Sequence, residues 1–316
     1  MGGKDRRPVL IAIGILLLLA GVAFAYLGPL ETVCFTYFSA GGRFAYEGFG
    51  FGSFLFGTIA AQIIGYTTIA AVLIPLGYGH IRVRRWARTL ALALMRVWLI
   101  VGLPVIAVTF LVLVASKELS LPAVLVAAVL LALSYLGVPA GAVTFYNSRG
   151  VRATFEVSDP MPDGARDVSV PLLTLCILYV FTAVVLLIPI FFRGIFPFFG
   201  VFFFDLPGIA LLDGSILLLI LLAWGTSQRH VWAWWGALII FGLLTSSTIL
   251  TCVGTDYLEL LAALRFPATE VEFLDGVPLQ GFHLALFFGL PLTVTFGVVA
   301  ASRRHFGRNP TLLLRQ

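Results

Sequence analysis

Residues 77–88 read GYGHIRVRRWAR, and this short basic segment separates two long apolar stretches, Phe51–Leu76 and Thr89–Ala115. A helix that crosses a bilayer needs roughly 20 apolar residues, because each residue rises about 1.5 Å through a hydrocarbon layer of about 30 Å. Both stretches meet that length. The segment is therefore predicted to be a turn between two transmembrane helices at one side of a membrane.

The rest of the chain continues this pattern. Of its 316 residues, 60% are hydrophobic and 11% are charged, a composition that excludes an ordinary soluble domain. Six further stretches have the length and apolarity of a spanning helix, and they are Pro8–Leu30, Leu121–Phe145, Val170–Phe192, Leu206–Gly225, Val231–Val253 and His283–Ser302. The alternating pattern of a membrane β-barrel is absent, and a helix satisfies its own backbone hydrogen bonds in lipid. We therefore predict an all-α integral membrane protein with eight transmembrane helices.

The positions of the cationic residues predict an orientation. With a cytoplasmic amino terminus, fifteen of the 20 Lys and Arg residues fall on the inner side, four fall on the outer side, and Arg96 lies within a span. Arg-rich loops resist translocation, so both termini are predicted to be cytoplasmic. The net charge of +5 then faces anionic lipid headgroups. Membrane lipids are the predicted partners, other membrane proteins or a second copy are further candidates, and no nucleic acid is expected.

The residue usage favours a bacterial inner membrane. The chain has eighteen Arg against two Lys and no Asn-X-Ser/Thr sequon. Ala23-Phe24-Ala25 resembles a signal-peptide cleavage site, but the apolar run continues to Leu30, so we expect the first span to be retained. Cys34 and Cys252 are both predicted near the outer face, where they either form a disulfide or remain two separate small buried residues.

The basic turn has a counterpart later in the chain. Residues 225–234 read GTSQRHVWAW, again a short basic turn followed by Trp-Ala at the start of a span. Gly137-Val138-Pro139 in the fourth span likewise matches Gly289-Leu290-Pro291 in the eighth. Four spans return each half to the same side, so we predict two parallel four-helix repeats, residues 1–148 and 170–316. The alternative is that Trp, Arg and Pro recur at helix ends in any membrane protein.

Residues 149–169 are predicted to be a cytoplasmic linker between the halves. They are polar, and Pro160, Pro162 and Gly164 interrupt them, so no folded domain is expected. The stretch Gly79–Arg88, taken with Phe145–Glu156 and Asp159-Pro160, resembles bacterial multi-pass membrane proteins of unassigned function. The shared features are an Arg/Trp turn and an R-x-V-R-x-T/A-F sequence after a helix. The resemblance implies no activity.

Five polar residues inside the predicted spans are candidate site residues, and they are Arg96, Asp213, Gln62, Tyr66 and Thr248. Charged and amide side chains are costly in hydrocarbon, so each needs a partner in protein or water. Arg96 and Asp213 either pair with each other near the bundle centre or extend toward their nearer interfaces. Thr248 belongs to a hydroxyl cluster at residues 245–251, which either hydrogen-bonds other helices or lines a polar cavity.

Three further patterns predict helix contacts and the form of the outer loops. Gly57, Ala61 and Gly65 recur every four residues, which predicts a face for close helix approach. Thr255–Phe282 carries five carboxylates and is predicted to be a solvated acidic loop with a short interfacial helix at Thr255–Arg265, a divalent-cation site being the alternative. The Phe/Gly-rich outer stretches favour an aromatic belt over partial re-entry into the membrane.

The chain has no motif that indicates catalysis. It contains no P-loop, no G-x-S-x-G and no H-E-x-x-H sequence. We therefore predict no catalytic, cofactor-binding or metal-binding residues and no cofactor. The expected function is a non-enzymatic membrane subunit, scaffold or regulatory module. The alternative is a transporter or permease-like protein that moves a small solute through a polar cavity between the two halves.

Overall fold

The computed structural model describes residues 6–116, 120–160, 169–275 and 280–306. Within these residues, eight helices are long and apolar enough to cross a membrane, which agrees with the predicted number. Their bounds are Arg7–Phe38, Phe54–Ile81, Arg85–Leu111, Leu121–Asn147, Val170–Phe191, Asp205–Ser227, Val231–Val253 and Gly281–His305. The protein is therefore a polytopic α-helical membrane protein.

The elements follow one another along the chain, and residues 39–53 between α1 and α2 form an irregular segment of turns and bends. The helices are α1 (Arg7–Phe38), α2 (Phe54–Ile81), α3 (Arg85–Ser116), α4 (Leu121–Ala132), α5 (Val138–Asn147), α6 (Arg149–Ser158), α7 (Val170–Leu187), α8 (Asp205–Ser227), α9 (Val231–Val253), α10 (Tyr257–Leu264), α11 (Ala268–Asp275) and α12 (Gly281–Ala301). Two short strands, β1 (Phe196–Phe198) and β2 (Val201–Phe203), form an antiparallel hairpin between α7 and α8. The short helix predicted at Thr255–Arg265 is present as α10, and its buried leucines pack against the protein.

The fourth span is a composite helix. A π-helical segment, Leu133–Gly137, joins α4 to α5, and Pro139 follows it at the start of α5. Proline lacks the N–H that an α-helix needs at this position, and a π-bulge accommodates the missing hydrogen bond. The fourth span thus changes helix type just before Pro139.

Consecutive spanning helices pack antiparallel. Gly14 of α1 lies against Gly77 of α2, and Gly21, seven residues further along α1, lies against Ile74. In the other half, Trp234 near the start of α9 contacts Val299 near the end of α12. We call the side at which α2 meets α3 and α8 meets α9 the basic face, and the opposite side the loop face.

The closest approach of two helices joins α1 and α2. A Cβ atom on Gly14 would lie 2.9 Å from the carbonyl oxygen of Gly77, so only glycine fits at this crossing. The close contact predicted for Gly57, Ala61 and Gly65 is wrong. Gly57 packs against the ring of Phe192, and a Cβ on Gly65 would meet no atom within 4 Å, because α1 occupies another face of α2.

Two apolar clusters form the interior at the basic face. One lies between α7, α8, α9 and α12 and includes the fully buried Tyr179 and Phe241. The other lies between α1, α2, α3, α5 and α6 and includes Leu10 and Phe155. Helix α3 packs against α7 and α12, so it connects the two halves.

Candidate functional site

Arg96 and Asp213 do not pair in the structure. Among the described residues three ion pairs occur, and neither residue takes part in them. Helix α7 packs against both α3, which carries Arg96, and α8, which carries Asp213, and so lies between them. Asp213 is exposed on the outer surface of the bundle, and Arg96 is partly exposed. Of the two alternatives, the intramolecular pair is therefore wrong, because these two helices are not direct neighbours.

Gln62 lies on an uncovered side of α2, whereas Tyr66 lies beside α1. The Gln62 side chain is exposed, and Tyr66 is half-buried with its ring 5.9 Å from that of Phe24 on α1. An amide exposed on a spanning helix has no protein partner for its four hydrogen-bonding positions. The structure therefore does not bring Gln62 together with Arg96, Asp213 or Thr248.

The hydroxyl cluster on α9 binds the β-hairpin rather than another helix. Ser247 accepts a hydrogen bond from the backbone N–H of Phe199 at 2.9 Å and donates one to the carbonyl of Pro197 at 2.8 Å. Thr251, one turn further along α9, accepts from the N–H of Gly200 at 2.9 Å. Thr248 is buried beside them. Neither alternative from the sequence described these contacts, which serve a loop that re-enters the bundle.

The hairpin reaches into the bundle from the loop face. Ser247 lies six residues before the end of α9, so the hairpin tip lies about 9 Å below the end of that helix. Phe199 and Gly200 form the two-residue turn, and both have positive φ (42° and 95°), as a tight turn between twisted strands requires. The hairpin thus packs against α9 below the end of that helix, and the side chains of Phe198, Phe199 and Val201 are exposed.

An ion pair closes the base of the hairpin. Arg193 donates from Nε to the Asp205 carboxylate at 3.1 Å, and its Nη1 donates to the carbonyl of Ala263 at the end of α10 at 3.0 Å. A planar guanidinium suits this double role because its donors point in several fixed directions. The hairpin is therefore held at its tip by α9 and at its base by α10.

Glu270 has a structural role that the sequence analysis missed. Its side chain is buried, and its two carboxylate oxygens accept from the backbone N–H groups of Phe54 and Leu55 at 2.7 and 3.0 Å. These N–H groups begin α2, where the helix dipole favours a negative charge. The prediction of a wholly solvated acidic loop is therefore wrong at Glu270. Of the described residues, no three His, Cys, Asp or Glu side chains are placed to hold a metal ion.

A second polar centre lies at the basic face. His80 is fully buried in the last turn of α2, and its Nδ1 lies 2.8 Å from the carbonyl oxygen of Leu76. A carbonyl oxygen can only accept, so Nδ1 carries the proton and Nε2 accepts from the hydroxyl of Tyr146 on α5 at 2.7 Å. Arg88 of α3 donates from Nε to the carbonyl of Tyr146 at 2.9 Å. These contacts join α2, α3 and α5.

Helix α6 closes the basic face over this centre. It buries Val151 and Phe155, and Asp159 beyond its end accepts from the backbone N–H of Arg85 at 3.1 Å and from the Arg84 guanidinium at 3.0 Å. The Arg85 N–H and the Arg84 charge lower the pKa of the Asp159 carboxyl. The linker predicted at 149–169 thus begins with a docked helix, which the sequence did not indicate; residues 161–168 lie outside the described residues.

The two basic turns have the same backbone hydrogen bonds. The N–H of Arg84 donates to the carbonyl of Gly79 at 2.8 Å, and the N–H of His230, 146 positions later, donates to that of Gly225 at 3.0 Å. Val83 and Arg229, also 146 positions apart, both have positive φ. A Cβ on Gly79 would meet the side chains of Trp86 and Ala87, and a Cβ on Gly225 would meet those of Trp232 and Ala233.

The side-chain bonds behind these turns also correspond. Arg88 donates from Nε to the backbone carbonyl of Tyr146 near the end of α5. Trp234, which lies 146 positions after Arg88, donates from Nε1 to the carbonyl of Val299 near the end of α12 at 2.9 Å. Cys34, Cys176 and Cys252 are all free thiols, so the possible Cys34–Cys252 bridge is not present.

The chain matches no known protein-family model, no curated protein and no solved structure. Functional reasoning therefore depends on the geometry of these residues.

Proposed function

We propose that this protein is a non-enzymatic membrane module that associates with transmembrane helices of other chains. One observation carries the proposal: Asp213 and Gln62, two polar side chains of the spans that are costly in lipid, lie on the outward faces of the bundle. An ionisable side chain in a spanning helix usually faces the protein interior or a partner. Outward-facing polar side chains on helices that span lipid indicate surfaces that a partner helix covers.

The arrangement of the hydroxyl cluster supports this proposal over transport. A permease needs polar groups that face one solvent-accessible cavity between the halves. Ser247 and Thr251 belong to the hydroxyl cluster that could line such a cavity, but they instead accept hydrogen bonds from the backbone of the hairpin. A shallow pocket of about 450 Å³ lies along the start of α1, between Arg7 and Ile15, and none of the five candidate residues lines it.

We further propose that both termini are cytoplasmic in a bacterial inner membrane and that the halves are parallel four-helix repeats. The repeat is supported because the backbone hydrogen bond of the turn, the residue with positive φ and the contacts of the first glycine with Trp and Ala all correspond at one offset of 146 positions. The concentration of Arg at the basic face supports the orientation.

A site-specific photo-crosslinker tests the proposed function. A benzophenone side chain placed at Ala210, beside Asp213 on the outward face of α8, is expected to form adducts with a protein in native membranes. The control position is Leu16 on α1, which is also exposed and is expected to label lipid. Lipid adducts at both positions, or solute flux through liposomes that contain the purified protein, would contradict the proposal.

Cysteine accessibility tests the orientation. Single substitutions Arg84→Cys and Arg149→Cys are expected to react with an impermeant maleimide only after the membrane is opened, whereas Phe44→Cys, exposed at the loop face, reacts in intact cells. Labelling of Arg84→Cys and Arg149→Cys from opposite sides would refute the alternating topology.

A further inference from the structure

We propose that two copies of this chain associate through an intermolecular ion pair between Asp213 of one copy and Arg96 of the other. This inference rests on the proposed function and names its partner as a second copy. The two residues carry opposite charges within spanning helices, and neither has an ionic partner in the described part of its own chain. A charge near the centre of a spanning helix is costly in lipid, so mutual neutralisation favours association.

The surface around Asp213 is shaped as a ridge that a helix can approach closely. Helix α8 packs mainly against α7 and α9, and its opposite side is exposed. Asp213 lies there between Ala210 and Gly214, and a Cβ on Gly214 would meet no atom within 4 Å. Ala210 and Gly214 are small and lie four residues apart beside Asp213, so the backbone of a partner helix can come close to the carboxylate.

The surface around Arg96 carries a charge opposite to that of the α8 ridge. Helix α3 packs against α2, α5, α7 and α12, but one of its faces stays uncovered toward the loop face. Leu103, Ala107 and Phe110 are exposed on this face, and Arg96 lies on the same face at helical spacing. This exposed strip of α3 is the surface that we assign to the α8 ridge, because it carries the opposite charge.

The two charges lie at similar depths. Arg96 is eleven residues from the start of α3 at the basic face, which is about 17 Å along the helix. Asp213 is fourteen residues from the end of α8 at the same face, which is about 21 Å. The difference of about 4 Å is within the reach of an extended Arg side chain.

Other pairings of the same surfaces do not neutralise these charges. Contact between the α8 ridges of two copies would bring two carboxylates together. Contact between the exposed α3 strips of two copies would bring two guanidinium groups together. The interface therefore joins unlike surfaces, and each copy presents both of them. Such a heterologous contact closes into a ring if its rotation allows.

A charge-exchange experiment tests the pair with the full-length chain in lipid nanodiscs or vesicles. Labelled wild-type copies are expected to self-associate in a fluorescence energy-transfer assay. Asp213→Arg alone and Arg96→Asp alone are expected to weaken self-association at least tenfold, because each places like charges at the contact. An equimolar mixture of the two variants is expected to recover association, since the exchanged charges again pair between copies.

The mixture also controls for folding, because two misfolded variants would not recover. Asp213→Asn and Arg96→Gln, which remove charge without reversing it, are expected to weaken self-association to an intermediate degree. Arg265→Asp at the loop face is the matched control. It is expected to leave association unchanged, because Arg265 lies outside the spans.

Disulfide trapping locates the contact. In a background with Cys34, Cys176 and Cys252 replaced by Ala, Leu103→Cys and Ala210→Cys copies are mixed; the two positions lie at depths of about 27 and 26 Å from the basic face. Oxidation is expected to join unlike copies and to give little product from either variant alone.

A monomeric wild-type protein, or association that ignores both charge reversals, would overturn the inference. If the pure protein is monomeric while the crosslinker at Ala210 still captures a protein in native membranes, only the second-copy assignment fails. If Ala210 captures lipid alone, the proposed function fails with it.

Discussion

The Nε2 atom of His80 lies 2.7 Å from the hydroxyl oxygen of Tyr146, with both side chains buried at the basic face. The proton on Nδ1 is fixed by the Leu76 carbonyl, so the Tyr146 hydroxyl is the donor in this bond. One hydrogen bond thus joins the ends of the second and fourth spans, at a place where no water-exposed atom of His80 remains.

We expect Tyr146→Phe to lower the free energy of unfolding by about 1–3 kcal/mol, because it leaves the buried Nε2 of His80 without a donor. Thermal unfolding in mild detergent measures the change. Tyr179→Phe is the matched control: the Tyr179 hydroxyl is buried without a hydrogen bond of normal geometry, so its removal is expected to be neutral or stabilising. Equal destabilisation by both variants would contradict this assignment of the Tyr146 bond.

We expect Glu270→Ala to loosen the amino end of α2, because the N–H groups of Phe54 and Leu55 lose their acceptor. Hydrogen exchange at these two amides should become faster, and the apparent melting temperature should fall. Glu270→Gln should have a smaller effect because the amide oxygen still accepts. Glu272, two residues further on, is exposed, and Glu272→Ala should leave the exchange rates unchanged.

We expect the double substitution Ser247→Ala and Thr251→Val to release the hairpin tip from α9. The N–H groups of Phe199 and Gly200 lose both acceptors, so hydrogen exchange at these positions should accelerate. Ser246→Ala alters an exposed hydroxyl of the same helix and serves as the control. Unchanged protection in the double variant would show that the ring contacts of the hairpin hold it without these bonds.

The docking of α6 is expected to weaken at acidic pH. The pKa of Asp159 is lowered by the Arg85 N–H and the Arg84 guanidinium. The Asp159 carboxylate therefore contributes fully to the stability of the docked α6 above its ordinary pKa of 3.8. This contribution is lost as the pH falls through the lower pKa that the carboxyl has in the folded protein. A fluorophore attached at Val157→Cys, which is exposed on α6, should report the release.

The same titration with Asp159→Asn should lose this transition and leave α6 less firmly docked at neutral pH. The pKa of Glu156 is also lowered, chiefly by its hydrogen bond with Arg152 within α6. Glu156→Gln is therefore the control for a carboxylate that stabilises the helix but does not join it to α3. A transition that survives in Asp159→Asn would reassign the pH dependence to another group.

We expect Gly77→Leu to separate α1 from α2. A Cβ at this position would lie 2.7 Å from the backbone nitrogen of Leu18 and 2.8 Å from the carbonyl oxygen of Gly14, so the helices must move apart. The melting temperature should fall strongly. Gly65→Leu adds the same side chain to the same helix where no atom lies within 4 Å, and it should be tolerated.

The spans could be predicted from the sequence because their length and apolarity follow from bilayer thickness alone. The contacts between them could not. The alternative that Arg96 pairs with Asp213 was wrong, because opposite charges in one chain do not determine which helices are neighbours. Gly57, Ala61 and Gly65 have the spacing of a helix contact, yet Gly14 and Gly21, seven residues apart on α1, form the observed one with α2.

Glu270 shows a different limit. Its neighbours in sequence are polar and acidic, and nothing nearby in the chain indicates that its carboxylate is buried at a helix end 216 positions away. The hydroxyls of Ser247 and Thr251 carried a weak signal, since a hydroxyl in a helix can donate to the carbonyl four residues earlier, as Thr251 does to Ser247. The identity of their other partner, a hairpin backbone, depends on tertiary structure.

The cap that Glu270 provides has a consequence for biosynthesis. Ribosomes deliver α2 to the membrane long before residue 270 has been made, so the newly inserted helix has its first amides unsatisfied by protein. The carboxylate of Glu270, between α9 and α12, is made later and then accepts from these amides. Chains that stall or are truncated before that point should leave the translocon with a frayed second helix, which gives a quality-control protease a way to recognise unfinished copies.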